Sequence, residues 1–157
     1  MPRPPSQIIQ TSQGLLEYAL YGAEQGAVVI LSHGTGGGYD QGLMLARLLG
    51  DFQGIAVSRA GYLRTPVETG PSPAELTHAY AALLNSLDIE KAAILGLSAG
   101  EMSAAHFALR YPNHCWALVL ADAVTTAPPK ASGKIVEIAN SLSERRVGVG
   151  EAVNRRA

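Results

Sequence analysis

The stretch Ala92-Ala-Ile-Leu-Gly-Leu-Ser-Ala-Gly100 decides the fold. Its first six residues are apolar throughout, which is typical of a strand that is buried on both faces. Its last five form the pattern G-x-S-x-G around Ser98, and a helix is predicted directly behind it over Ala99–Arg110, ending before Pro112. Ser98 is therefore expected in a tight turn between strand and helix, where the flanking glycines relieve crowding against neighbouring backbone.

Strands and helices alternate on both sides of this stretch. The predicted elements are, in order, hairpin strands over Gln7–Thr11 and Leu15–Tyr21, a strand over Ala27–Leu31, a helix over Gln41–Leu49, a strand over Gly54–Ser58, a helix behind Ser72, and a strand over Trp116–Ala121. The helix behind Ser72 begins with Pro73 and Glu75 in a capping box. This alternation predicts an α/β fold with a mostly parallel sheet and right-handed crossovers.

Length, charge and cysteine content restrict the class of protein. A chain of 157 residues is long enough for one domain with one hydrophobic core. Its net charge of −1 offers no basic footprint for nucleic acid or for an anionic membrane surface, and no apolar run is long enough to span a bilayer. With Cys115 as the single cysteine, no intrachain disulfide can form, and a cytoplasmic location is expected.

The charge distribution changes near residue 130. Residues 1–129 contain six basic and ten acidic side chains, whereas residues 130–157 contain six basic and three acidic ones. We therefore predict a core over residues 1–129 and a divergent tail, or the beginning of a cap segment, over residues 130–157. One amphipathic helix is expected within that tail.

Three loops carry a family resemblance. They are His33-Gly-Thr-Gly-Gly-Gly38, Ser58-Arg-Ala-Gly-Tyr-Leu-Arg-Thr-Pro66 and the pentapeptide around Ser98, and each follows the end of a predicted strand. In this order, across residues 7–127, they resemble the N-terminal portion of the α/β-hydrolase fold family. The resemblance covers most of the chain but not the last two strands that follow the sixth in that family.

The resemblance implies roles for individual residues. Ser98 is the nucleophile, and the backbone N–H groups of Thr35 and Ala99 bind the developing oxyanion, with Gly36 as a further candidate. His33 orders the loop in similar proteins and is not expected to be the base. The chemistry implied is hydrolysis of an ester or similar acyl bond in a small-molecule substrate, without cofactor or metal.

The sequence departs from the family in its acid and its base. In α/β-hydrolases the acid and then the histidine follow the serine along the chain, but His33, His78, His106 and His114 all precede the end of the last predicted strand. Asp122, at the carboxyl end of that strand, is the candidate acid, and the alternative is a polar loop residue or helix cap. His114 lies before the strand and is expected at the opposite end of the sheet.

Two explanations and three function classes stay open at this point. The chain is either an N-terminal portion of a longer hydrolase or a product with an altered ending. Besides a serine hydrolase, it could be a catalytically incomplete remnant that acts as an interaction protein, whose uncovered edge strand predicts homo-oligomers. Nucleotide binding through Gly34–Gly38 is disfavoured, because Tyr39 stands where G-x-G-x-x-G needs its last glycine.

Overall fold

A computed structural model describes residues 5–46 and 50–122, and for residues 43–46 it describes the backbone only. The strands are β1 (Gln7–Thr11), β2 (Gly14–Gly22), β3 (Val28–Ser32), β4 (Gln53–Val57), β5 (Ala92–Leu97) and β6 (Cys115–Ala121). The helices are α1 (Tyr39–Ala46), α2 (Pro73–Ser86) and α3 (Glu101–Arg110), with single 3-10 turns at Val67–Thr69 and Ser98–Gly100. The predicted boundary at residue 130 and the helix beyond it lie outside the described residues.

The described strands form one mostly parallel sheet, as predicted. Their order is β1-β2-β4-β3-β5-β6. The hairpin of β1 and β2 is antiparallel, and β2 also runs antiparallel to β4. Strands β4, β3, β5 and β6 run parallel to one another, so their carboxyl ends lie at one edge of the sheet. Ligands of open α/β folds bind at this edge.

Where element boundaries differ from the sequence prediction, they do so by one or two residues, and the predicted end of the first helix at Leu49 lies outside the described residues. The helix expected from Ala99 begins as the 3-10 turn Ser98–Gly100 and becomes α-helical at Glu101. The capping box is confirmed in its main contact, because the Ser72 hydroxyl oxygen accepts from Glu75 N at 3.2 Å. The same hydroxyl donates to the Glu75 carboxylate at 2.6 Å, so the carboxylate binds the side chain of the capping residue Ser72.

Each face of the sheet is packed by different helices. On one face Ile30, Ile55 and Ile94 pack with Tyr80 of α2 and Phe107 of α3, all fully buried. On the other face Leu31, Ala56 and Ala93 pack with Tyr39 of α1. No helix in the described residues combines the length and apolar character needed to cross a membrane.

Candidate functional site

Strand register brings the loop after β3 beside the turn after β5. Ser32, the last residue of β3, pairs with Gly96 of β5, so the chain leaves both strands at the same level of the sheet. The two segments then stay close, since a Cβ added to Gly34 would lie 3.4 Å from Ser98 Cβ and 3.3 Å from the Leu97 carbonyl oxygen. Residues 33–36 and 98–99, about sixty positions apart in the chain, thus share one site at the carboxyl edge.

Ser98 has the strained backbone that its motif implies. Its φ is +49°, in the left-handed region that non-glycine residues occupy at a cost of about 1–2 kcal/mol. A Cβ on Gly96 would lie 2.5 Å from Glu101 Cα, and one on Gly100 would lie 2.6 Å from the His33 carbonyl oxygen. Both glycines therefore face backbone atoms that cannot rotate away, which confirms that the turn needs small neighbours on each side of Ser98.

Thr35, Gly36 and Ala99 line the solvent side of this site. Thr35 and Gly36 are exposed, and Ala99 is half-buried beside Ser98. Gly36 has a φ of +75° and no atoms within 4 Å of an added Cβ, so its conformation, not close packing, favours glycine there. The three residues proposed from the resemblance as oxyanion donors are thus at least partly exposed to solvent, and Ala99 directly follows Ser98 in the chain.

His33 lies beneath the loop and is fixed in one tautomer. Its Nε2 accepts from Arg59 N at 2.9 Å, so its Nδ1 carries the hydrogen that is donated to the Gly34 carbonyl oxygen at 2.7 Å. The ring is 3% exposed, and burial is the main reason that the pKa of His33 falls to about 4. His33 is therefore neutral near pH 7 and supports the loop from inside.

Arg59 follows β4 and joins the same cluster. Its guanidinium donates to the Gly34 carbonyl oxygen at 3.2 Å and, at the longer distance of 3.5 Å, to the Ala99 carbonyl oxygen. The guanidinium carbon lies 4.9 Å from the centre of the Tyr62 ring, which also contacts the His33 ring edge-on. One side chain thus touches both the loop after β3 and the turn after β5.

A buried carboxylate anchors the segment that carries Arg59. Glu17 of β2 is 2% exposed and accepts from the Ser58 hydroxyl at 2.9 Å and from Arg64 Nε at 2.7 Å. Burial raises the pKa of Glu17, but hydrogen bonds from Ser6, Arg64 and Ser58 outweigh it and hold the pKa below its ordinary value. The carboxylate therefore stays charged and binds Ser58 and Arg64, the two ends of this segment.

A second buried network lies under the serine turn. The Ser32 hydroxyl is 2.9 Å from the Tyr80 hydroxyl and 3.1 Å from the Ser103 hydroxyl, and Ser103 donates to the Gly100 carbonyl oxygen at 2.8 Å. These contacts join β3, α2 and α3 directly behind Ser98. Because buried hydroxyl groups are costly to leave unpaired, the network fixes the turn relative to the sheet.

Asp122 occupies the corresponding position on the neighbouring strand. Ala121 pairs with Leu97, so Asp122 and Ser98 each come directly after a paired position at the carboxyl edge. Asp122 is exposed and has a φ of +71°. The structure thus places Asp122 at the same edge of the sheet as Ser98, directly after the neighbouring strand.

Three of the four histidines lie in other parts of the fold. His78 of α2 bonds to the Tyr111 hydroxyl and to Arg110. His114 bonds to the Glu90 carbonyl oxygen at the amino end of β5, as expected from its position before β6. His33 supports the loop, and His106 lies in the second half of α3. In the described part of the chain, no group of three or more His, Cys, Asp or Glu residues is arranged to hold a metal ion.

Comparison with known proteins identifies the family. The sequence profile of the alpha/beta hydrolase fold matches residues 27–147, and the chain belongs to this family. An uncharacterized hydrolase, YcgS of Bacillus subtilis strain 168, is 35% identical over 113 residues, which are 71% of this chain and 39% of that protein. The chain thus spans about two fifths of the length of this relative.

Solved structures give the same result. An alpha/beta hydrolase fold protein from Nakamurella multipartita matches with a TM-score of 0.71 and 36% identity, over 74% of this chain and 40% of its own. A hydrolase from Pseudomonas aeruginosa PA01 also matches with a TM-score of 0.71, at 27% identity, over 99% of this chain and 63% of its own.

Proposed function

We propose that the chain carries the nucleophile and oxyanion site of a serine hydrolase that acts on an ester or similar acyl bond of a small molecule. Ser98 Oγ attacks the carbonyl carbon, and the negative charge that develops on the carbonyl oxygen is bound by the N–H groups of Thr35 and Ala99, with Gly36 as a further donor. The observation that carries this proposal is the strained φ of Ser98 directly beside the loop 33–36.

The proposed reaction is an acyl transfer in two steps. The Ser98 hydroxyl proton passes to a general base, the leaving alcohol or amine takes up a proton, and water then hydrolyses the acyl-serine. Asp122 is proposed as the acid that orients the base, because it directly follows β6, the neighbour of the strand β5 that Ser98 directly follows. No histidine is assigned as the base, since His33, His78 and His114 are hydrogen-bonded to groups other than Ser98 and His106 lies in the second half of α3.

The names of the relatives support the reaction class. YcgS and the proteins from Nakamurella and Pseudomonas are called hydrolases or hydrolase-fold proteins. Their names specify no substrate. The aspartate nucleophile common in epoxide and halide chemistry of this fold family is replaced here by Ser98, so an acyl substrate is favoured.

The experiment is intact-mass analysis after treatment with a fluorophosphonate, which phosphonylates activated serines. The wild-type chain should gain one adduct, and Ser98→Ala should gain none. Ser86→Ala is the matched control, because Ser86 is an exposed serine whose hydroxyl bonds to the Ala82 carbonyl oxygen of its own helix. A folded wild-type chain that gains no adduct would overturn the proposal for this chain alone.

A further inference from the structure

Arg59 makes a contact that neither the family resemblance nor the proposed reaction uses. Its guanidinium bonds to the carbonyl oxygen of Gly34 at 3.2 Å, and its second terminal nitrogen reaches the carbonyl oxygen of Ala99 at 3.5 Å. Gly34 belongs to the loop after β3, and Ala99 belongs to the turn after β5. Arg59 therefore bridges the two segments whose N–H groups are proposed to meet at the oxyanion.

The Gly34 carbonyl is one half of a peptide unit whose other half is the Thr35 N–H. The two groups lie in one plane and, across a trans peptide bond, point in opposite directions. A donor that holds the carbonyl from behind therefore sets the direction of the N–H in front. Hydrogen bonds to a carbonyl also polarise the N–H of the same peptide and strengthen what it donates.

Two donors hold this carbonyl. His33 Nδ1 approaches at 2.7 Å and Arg59 at 3.2 Å, so the oxygen receives one neutral and one charged hydrogen bond. The Arg59 side chain is itself restrained, because its guanidinium lies over the Tyr62 ring and its backbone N–H donates to His33 Nε2. A guanidinium is planar, permanently charged and has several N–H donors in fixed directions, which suits it to bind two carbonyl oxygens at once.

We infer that Arg59 is a positioning residue for the oxyanion site, which acts through the Gly34 carbonyl to orient and polarise the Thr35 N–H and holds the Ala99 segment at a fixed distance from it. This inference rests on the proposed function for its catalytic consequence. The dependence of the Thr35 amide on Arg59 is a structural claim that holds without the proposed function.

The test compares Arg59→Met, Arg59→Lys and the control Arg110→Met in the ¹⁵N-labelled full chain. Arg110 also donates to a backbone carbonyl oxygen, that of Ala74, but it lies at the end of α3 away from the site. Two quantities are measured under native conditions: the amide resonance of Thr35 with its hydrogen-exchange rate, and the rate constant of fluorophosphonate labelling at Ser98.

Arg59→Met should move the Thr35 amide proton upfield, because the hydrogen bond that polarises this peptide is lost, and should slow its base-catalysed exchange, because a less polarised N–H is less acidic. Labelling should slow about tenfold, less than the hundredfold or more that follows removal of a whole oxyanion donor. Arg59→Lys should show both effects in smaller measure, because an ammonium keeps the charge but cannot bridge two carbonyls. Arg110→Met should show neither.

An unchanged Thr35 resonance in folded Arg59→Met, or the same displacement in Arg110→Met, would overturn the inference. If Arg59→Met does not fold, Arg59→Lys decides, and a spectrum identical to wild type would overturn it. A wild-type chain that is not labelled refutes the proposed function instead, and the Thr35 resonances then still decide whether Arg59 positions the loop.

Discussion

His33 shows how one protonation state supports the site. Its Nε2 accepts from Arg59 N, and a proton added there would place a donor against a donor. Burial lowers the pKa from 6.5 in the unfolded chain to about 4 in the folded one. The unfolded state therefore binds more protons between these values, so the stability contributed by neutral His33 is complete above about pH 6.5 and is lost as the pH falls toward 4.

We predict a pH-dependent stability that the substitution His33→Asn removes. Over this interval the wild-type free energy of unfolding should fall by up to about 1.4 kcal/mol per pH unit through His33 alone, or about 3 kcal/mol in total. The His33→Asn variant should be less stable at pH 7, having lost a well-placed ring, and its stability should depend less on pH. Urea unfolding at pH 7, 6, 5 and 4.5 gives both curves, and parallel curves would contradict the assignment.

At Gly100, the turn between β5 and α3 packs closely against the end of β3. A Cβ at this position would lie 2.6 Å from the His33 carbonyl oxygen and closer still to that of Ser32, both backbone atoms at the end of β3. Gly100→Ala must therefore push α3 away from the sheet and disturb the network of Ser32, Tyr80 and Ser103. The expected loss of stability is about 2–3 kcal/mol, measured by chemical denaturation.

Gly36→Ala is the matched control for this prediction. Gly36 has a positive φ but no atoms within 4 Å of an added Cβ, so only backbone strain opposes the substitution. It should cost about 1 kcal/mol, clearly less than Gly100→Ala. If both variants lose the same stability, the close approach of α3 to β3 is not what requires glycine at position 100.

The sequence was sufficient to predict the elements and the serine turn, because both depend on local patterns. Buried runs such as Ala92–Leu97 and the capping box at Ser72 need only their own neighbours to be interpreted, and the structure confirms both. The parallel direction of β3, β4 and β5 follows from their alternation with helices. The assignments of Ser98, Thr35, Gly36, Ala99 and Asp122 to chemical roles stay predictions.

The contacts of Glu17 and Arg59 could not be predicted from local sequence patterns. Glu17 lies in a strand whose pattern predicts only half-burial, and its partners Ser58 and Arg64 are 41 and 47 positions away. Arg59 lies in a turn-rich segment, and its bridge to Gly34 and Ala99 exists only once β4, β3 and β5 are neighbours. A weak signal was present, since an acidic residue facing a sheet interior requires a buried partner.

At the scale of the whole molecule, β6 is one of the two edge strands of the sheet within the described residues, and β1 is the other. Strand β6 pairs with β5 on one side, and its large side chains Trp116, Leu118, Val119 and Leu120 are between 38% and 47% exposed. An edge strand with apolar side chains presents unpaired backbone donors and acceptors to any second strand. This supports the earlier expectation of homo-oligomers, which we keep as a proposal.

We therefore predict that the chain self-associates through β6 and that a charge on this strand prevents it. Light scattering coupled to size exclusion should show a concentration-dependent dimer for wild type and a monomer for Val119→Lys, because a lysine on an edge strand opposes further pairing. Leu109→Lys is the control: Leu109 is 82% exposed, more than any large apolar residue of β6, but lies on α3. If exposed apolar area drives association, Leu109→Lys should weaken the dimer more. If edge pairing drives it, Val119→Lys should. A wild-type chain that is monomeric at every concentration would contradict pairing at β6.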